Sequence, residues 1–423
     1  MQVIGIIAEY NPFHTGHAYQ IQESRRMVCP DSAVVAVMSG NWVQQANCAI
    51  ADKWLRARLA LEGGADLVLE LPTLLATASA EGFARGAVEL LDACGVVDWL
   101  SFGSECGSVE PLGQIAACLD SPDYQAAVSH LAGTGLPFAQ CRQKAVESIL
   151  GERAATPLSR PNNNLGIEYL RALNALSSSI RPMTVLRRGA QHNAVVFSGE
   201  EAADAPSAPS HASMPPIVSA TQLRMDLTAG RWDRAGYYLG AEGRTWLESS
   251  PTGLPSLERA ERAILARLRT MTADDWALLP DSGQAEGLPQ RLERAGQACS
   301  SLQDFFDLVK VKRFTHARLR RLVLWAYLGI TQADVPDSPS YLRVLGMNQR
   351  GRELLRDMKE CASLPILTKP AHVRNLPALA QAQFELERRC TDLYDLCYET
   401  IPAPGREWRT GPVVWEGRAD ESF

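Results

Sequence analysis

Residues 5–17 read GIIAEYNPFHTGH. With Val3 and Ile4 ahead of it, the run to Tyr10 is a short apolar strand. A Pro-containing turn follows, and His14-Thr-Gly16-His17 opens a helix. A helix start offers unpaired N–H groups and the positive end of the helix dipole, which suits phosphate. Gly16 lets the backbone come close to a ligand. His14 and His17 lie one turn apart and can face one point. Their imidazoles can donate hydrogen bonds to charge developing on an α-phosphate and on a leaving pyrophosphate. Each donor of this kind typically contributes about two to three orders of magnitude in rate. Two bland readings compete. Incidental surface histidines would not be expected directly after the first strand of an α/β unit. A zinc pair would favour i, i+4 spacing with a third ligand. The spacing is i, i+3, so no protein-held metal is expected.

Outward from this segment the pattern repeats. Ala33–Gly40, Asp66–Leu71 and Trp99–Ser104 are apolar runs of strand length, separated by the helical patterns of 52–63 and 79–94. Near-continuous apolar strands between helices predict a parallel sheet covered on both faces, an α/β doubly wound domain. Residues 111–150 read as a helical insertion and Met183–Leu186 as a fifth strand. Residues 199–216, rich in Ala, Pro, Ser and acidic side chains, read as a flexible loop inside the first domain. Beyond Arg231 the strand signal fades. Ser256–Met271 and Val309–Leu328 read as helices, so 231–423 is expected to be a mainly α-helical second domain after a domain of 1–230.

Composition sets bounds. The 423 residues suffice for two or three domains, and 46% hydrophobic with 21% charged is ordinary for a globular chain. No apolar run approaches a membrane span, and the N-terminal segment lacks a signal peptide's basic flank and cleavage site. Forty-two basic against 48 acidic residues give −6, which argues against a protein coated in nucleic acid but permits a local basic surface. Ten cysteines without a CxxC pair fit a reducing, cytoplasmic setting.

A second phosphate signal is Ser219-Ala-Thr221-Gln-Leu-Arg224. Its hydroxyls can cap a helix and hold phosphate, and Arg224 adds a forked cation. Alone it is an ordinary N-cap. After HxGH in this chain order it forms a nucleotidyltransferase signature. No Walker lysine loop and no GxGxxG is present, so those nucleotide-binding solutions are excluded.

These motifs resemble the HxGH nucleotidyltransferase superfamily, whose Rossmann-like (HUP-type) fold is shared with class I aminoacyl-tRNA synthetases. Further strings narrow the resemblance to the tRNA(Met) cytidine acetate ligase family. They are MSGNWVQ (38–44), AIADKW (49–54), GADLVLELP (64–72), FGSE (102–105), RPNNNLGIEYLRAL (160–173), EGL (286–288), VKRFTHARLRRL (311–322) and YLRVLGMNQRGRELL (341–355). The resemblance implies that acetate attacks the α-phosphate of ATP. The acetyl-adenylate formed then acylates N4 of the wobble cytidine, C34, in elongator tRNA(Met), giving N4-acetylcytidine. ATP is thus a substrate, expected to arrive with Mg2+. His14 and His17 are expected to be catalytic.

Family ATP contacts carry over onto Ile7, Glu9, Asn11, Pro12, Phe13, His14, Gly16, His17 and Gln20. They also carry over onto Gly103, Asn162 or Asn163, and Arg187 and Arg188, beside the phosphate motif of Ser219, Thr221 and Arg224. Ser39, Asn41, Asp52 and Lys53 are candidates for the acetate or tRNA side. One departure stands out. The family pattern after the GNWVQ string continues Arg-Gly-Glu-Pro, and here it reads Gln45-Ala46-Asn47-Cys48. A cation is lost there.

Residues 310–321, KVKRFTHARLRR, concentrate basic side chains on an acidic chain. Lys310, Lys312, Arg313, Arg318, Arg320 and Arg321 are therefore expected to contact tRNA phosphate. A solvated helix face is the bland alternative. Two rival functions share these motifs: a small-molecule adenylyltransferase, and a catalytically quiet tRNA-binding protein.

Overall fold

The computed structural model describes residues 1–132, 136–187, 218–311 and 313–417. The expected loop 199–216, Arg188 and Lys312 lie outside them.

The opening segment forms strand β1 (Val3–Ala8), running into helix α1 (Thr15–Val28). Strands β2 (Ala33–Ser39), β3 (Leu67–Leu71), β4 (Trp99–Ser104) and β5 (Arg181–Leu186) alternate with helices α2 (Lys53–Glu62), α3 (Ala80–Ala93) and α4 (Pro161–Leu176). These five strands are parallel, in the spatial order β3-β2-β1-β4-β5. The chain leaves β1 to one side, returns, and continues on the other. The crevice beyond the carboxyl ends of β1 and β4 is therefore a topological switch point, where open α/β sheets bind ligands.

The side-chain period of two explains why these runs are apolar throughout. In β2, Val35 and Val37 belong to the apolar core that includes α3 and α4, and Val34, Ala36 and Met38 to the core that includes α1 and α2. Residues 109–150 form three helices, Val109–Leu119, Pro122–Ala132 and Phe138–Leu150, as the helical reading expects.

Residues 231–417 are mainly helical, but the sheet does not stop at residue 230. Strand β6 (Leu342–Met347) pairs antiparallel with β3, and β7 (Ile366–Leu367) and β8 (Val413–Val414) pair with β6. All six residues of β6 are buried, so it is a core strand between β3 and the short strands β7 and β8. Asp66 ties this return to the first half: its carboxylate accepts from Val34 N, Arg25 Nη2 and Asn348 Nδ2, each at 2.8 Å.

The expected helix over 309–328 is corrected. A helix of Leu302–Val309 ends at Lys310, and α-helix starts again only at His316, after Thr315 accepts a capping bond from Arg318 N. A hydroxyl N-cap inside a basic run breaks the helix there.

A short hairpin, Trp42–Val43 with Asn47–Cys48, follows β2. Trp42 is fully buried in the helical C-terminal core, its Nε1 donating to Cys390 O at 3.0 Å. The hairpin is thus anchored at one end and free to border the crevice at the other.

Candidate active site

The crevice is a cavity of about 260 Å³. Its floor is the turn after β1. Buried Arg56 of α2 fixes that floor by donating to Glu9 O at 2.6 Å, Ala51 O at 3.0 Å, Ser39 O at 3.0 Å and Gly40 O. Arg56 therefore joins the carboxyl ends of β1 and β2. Sequence reading passed over it, because nothing in AIADKWLRARLA separates it from Arg58.

The two imidazoles cap α1 reciprocally. His14 Nδ1 accepts from Gly16 N at 3.0 Å, and His17 Nδ1 accepts from His14 N at 3.2 Å. Ser, Thr, Asp or Asn usually does this work. The consequence is chemical. With each Nδ1 held as an acceptor, the neutral ring carries its proton on Nε2. The tautomer follows from the hydrogen bonds. The rings lie 3.8 Å apart by centroid, and Tyr10 meets His17 edge-on at 4.9 Å.

Both imidazoles are held neutral. Burial, then the Arg187 and Arg224 charges, push His14 down to about 3. Burial, then His14 and Arg187, hold His17 well below the ordinary imidazole range. The pair is a fixed set of Nε2–H donors across the physiological range. In 1H–15N spectra of the ligand-free protein, the ring signals of both are expected not to titrate between about pH 5 and 8. A midpoint near 6.5 for either would contradict the buried, capped arrangement. The linkage sign is clear. The unfolded chain takes up protons below about 6.5 and the folded rings do not, so this contribution to stability is lost as pH falls from there towards about 3.

Helix α5 (Ala220–Thr228) brings the second phosphate motif. Ser219 caps it, accepting from Gln222 N at 3.2 Å. Arg224 donates to Asn11 O at 2.8 Å and Thr221 Oγ1 at 3.1 Å, which locks the two motifs together. The N-termini of α1 and α5 thus border one cavity, with Arg187 and Arg224 beside them. That is an anion site from four directions.

The same cavity has an apolar lining of Phe83, Phe102, Leu165, Tyr169 and Val185, together with Gly103 and Asn162. A Cβ on Gly103 would sit 3.2 Å from Arg187 Cγ, so glycine leaves that arginine its place. The FGSE and PNNN strings form one interlocked turn. Glu105 accepts from Asn162 Nδ2 at 2.7 Å and Asn163 N at 2.8 Å, and Asn163 Oδ1 accepts from Glu105 N at 2.9 Å.

Of the expected ATP contacts, Ile7, Glu9, Asn11, His14, Gly16, His17, Gln20, Gly103, Asn162, Arg187, Ser219, Thr221 and Arg224 line the cavity. Pro12, Phe13 and Asn163 do not. Phe13 packs under the site against Tyr10 and His17. Asn163 is spent on the loop after β4. Among the described residues that line the cavity, Glu9 alone has a charge that opposes a phosphate contact. Gln44 and Gln45 also line the mouth, and Gln45 is exposed at the hairpin tip beside Ala46, whose φ is +55°. The cation missing from this sequence would have stood at the mouth.

The candidates for the acetate or tRNA side are not brought to this cavity. Ser39, Asn41, Asp52 and Lys53 line no part of the cavity. Asp52 caps α2 and pairs with Arg406. Asn41 accepts from Lys53 N at 2.9 Å and donates to Thr391. Lys53 is 0% exposed, its Nζ 2.7 Å from both Glu70 and Glu407. Arg343 and Glu387 complete a buried charge network with Thr73. Its members come from positions 53 to 407, so no local string announces it.

The basic segment is partly neutralised. Arg318 bonds Asp281 and Glu286, and Arg321 bonds Asp281. Arg313 stands 3.8 Å from Glu286 and, like Lys310 and Arg320, is exposed. Beside them opens a second cavity of about 500 Å³, lined by Arg291, Arg294, Arg313 and Phe314. Among the described residues no group of three His, Cys, Asp or Glu is placed to hold a metal, and no helix is long and apolar enough to cross a membrane.

Residues 1–406 match the family model described as HIGH Nucleotidyl Transferase. The tRNA(Met) cytidine acetate ligase of Caldanaerobacter subterraneus subsp. tengcongensis is 38% identical over 95% of this chain and 96% of its own length. That of Acetivibrio thermocellus is 34% identical over 94% and 96%. Among solved structures, Thermotoga maritima TmcAL bound with α-thio ATP superposes with a TM-score of 0.87 at 32% identity, covering 99% of this chain and all of that one. The apo form I crystal of the same protein gives 0.89.

Proposed function

Since the chain belongs to the HIGH nucleotidyltransferases and, among them, to the tRNA(Met) cytidine acetate ligases, we propose that it joins acetate to cytidine in tRNA(Met) at the expense of ATP. The observation that carries this reading is the capped imidazole pair, two Nε2–H donors fixed in the cavity that also holds Arg187 and Arg224. Such an array fits a triphosphate whose α-phosphorus is attacked by a carboxylate. Preorganised donors strengthen as the equatorial oxygens and the departing pyrophosphate gain charge. The adenine lies in the slot of Phe102, Leu165 and Tyr169, with Asn162 and Gln20 at its polar edge. Mg2+ enters with the phosphates, since Glu9 is the one carboxylate among the described residues that line the cavity.

The acyl phosphate anhydride then faces the tRNA. Its target is N4 of the wobble cytidine of the elongator species, splayed from the anticodon loop as single-stranded bases usually are when read. Lys310, Arg313 and Arg320, with Arg291 and Arg294 of the second cavity, give the RNA backbone its footing. Arg318 and Arg321 position that surface through Asp281 and Glu286. A tRNA substrate and ten free thiols support a cytoplasmic setting.

Pyrophosphate release tests the reading. The expected result is release that needs acetate, followed by acetyl incorporation into tRNA only when tRNA(Met) is added. Release with a phosphorylated small molecule and no acetate would mean an adenylyltransferase. tRNA binding without ATP turnover would mean a quiet RNA-binding protein.

A further inference from the structure

Acyl transfer leaves a proton to be placed. When N4 of cytidine attacks the acetyl carbonyl, a C–N bond forms and the C–O bond to AMP breaks. AMP departs with the electron pair, and the amine must give up one proton. The cavity offers few acceptors. At His14 and His17 each Nδ1 already accepts a backbone N–H and each Nε2 carries the ring proton, so neither ring takes another without breaking its cap. Arg187 and Arg224 are cations. Tyr10, Tyr19 and Tyr169 are phenols, and burial pushes Tyr10 and Tyr169 up further. Amides and hydroxyls are not bases. Glu9 is the only carboxylate among the described residues that line the cavity.

The placement of Glu9 suits a base. It follows β1 directly, five residues before His14. Its backbone is pinned by Arg56, and its Oε1 accepts from Gln44 N at 2.9 Å on the hairpin that borders the mouth. Oε2 receives no hydrogen bond from a described residue. The charged and titratable neighbours that act on it are Arg224 from α5, Arg56 from α2 and Tyr169 from α4. In the adenylation step this negative charge attracts neither acetate nor triphosphate, which are both anions.

We propose that Glu9 is the proton acceptor of the second step, taking the N4 proton of cytidine through Oε2 as the amide bond forms. The proposal rests on the acetate-ligase reading and assigns that reaction's base. Glu9→Gln keeps the shape and the Gln44 contact and removes the basicity. Two measurements separate the steps: acetate-dependent ATP–pyrophosphate exchange, and single-turnover transfer from enzyme-bound acetyl-adenylate to tRNA. The expected result is transfer slowed by about 100-fold more than exchange is, with acetyl-adenylate accumulating. Transfer at the unsubstituted rate would overturn the assignment, and so would loss of exchange in parallel with transfer. If the unsubstituted protein itself shows no acetate-dependent exchange, the acetate-ligase reading fails rather than the choice of base.

Discussion

His17→Ala is expected to lower acetate-dependent ATP–pyrophosphate exchange by about 100- to 1000-fold. The substitution removes one of two fixed Nε2–H donors at the point where charge develops. It also leaves His14 N without its acceptor and opens a gap beside Tyr10 and Phe13. The lost cap costs about 1 kcal/mol of stability, too little to unfold a chain with this much buried core. The rate loss is therefore read on folded protein, which a thermal melt checks. His14→Ala removes the partner donor and the bond to Gly16 N, and the same range of loss is expected. Because the two rings act on one phosphate cluster, the double variant should lose less than the product of the singles. Exchange within a factor of about five of the unsubstituted protein would contradict the role given to the pair.

Lys53→Ala carries the largest expected loss of stability, about 3–5 kcal/mol. Lys53 Nζ sits between Glu70 and Glu407, and all three side chains are almost wholly buried. Burial works to lower the Lys53 ammonium, but Glu407 and Glu70 outweigh it and hold it protonated. Burial raises Glu70, and raises Glu387 to about 8 with Glu70's charge adding to the push. Burial would raise Glu407 too, yet Lys53 and Arg343 more than offset it. Removing the lysine leaves three carboxylates facing one arginine. The pH dependence follows. A carboxyl raised in the folded state stabilises fully below its unfolded value of about 4.5 and loses that contribution as pH rises through the folded one. The unfolding midpoint of Lys53→Ala should therefore fall further behind the unsubstituted protein as pH rises from about 5 to about 8. Equal midpoints in urea at pH 8 would show that the network does not hold the C-terminal segment to α2.

The contrast between these two sites shows what a single sequence discloses. The imidazole pair was legible because the chemistry is local: strand, turn and helix start occupy 15 consecutive residues, Val3–His17. SATQLR was legible as a helix cap, and its link to the first motif, Arg224 on Asn11 O, spans 213 positions yet was implied by chain order. The buried network was not legible. Lys53 meets Glu407, and Asn41 meets Thr391 across 350 positions, so both looked like candidates for ligand contact. Arg56 was missed for the converse reason: its partners are carbonyls, which have no letter in the sequence.

The fold follows the same division. Parallel strands β1 to β5 announce themselves as apolar runs between helices, whereas β6 lies in a mainly helical stretch and is placed in the sheet by pairing with a segment some 275 residues earlier. The basic run at 310–321 was legible as charge. That Arg318 and Arg321 are spent on Asp281 and Glu286 was not.

The central claim is that two neutral imidazoles, each held by its Nδ1, present Nε2–H to the phosphates of ATP. A crystal structure with a non-hydrolysable ATP analogue tests it most directly. The expected result places phosphate oxygens about 3 Å from Nε2 of both His14 and His17, with the base in the slot beside Gly103. An analogue bound elsewhere, or phosphates that leave both Nε2 atoms without contact, would contradict it.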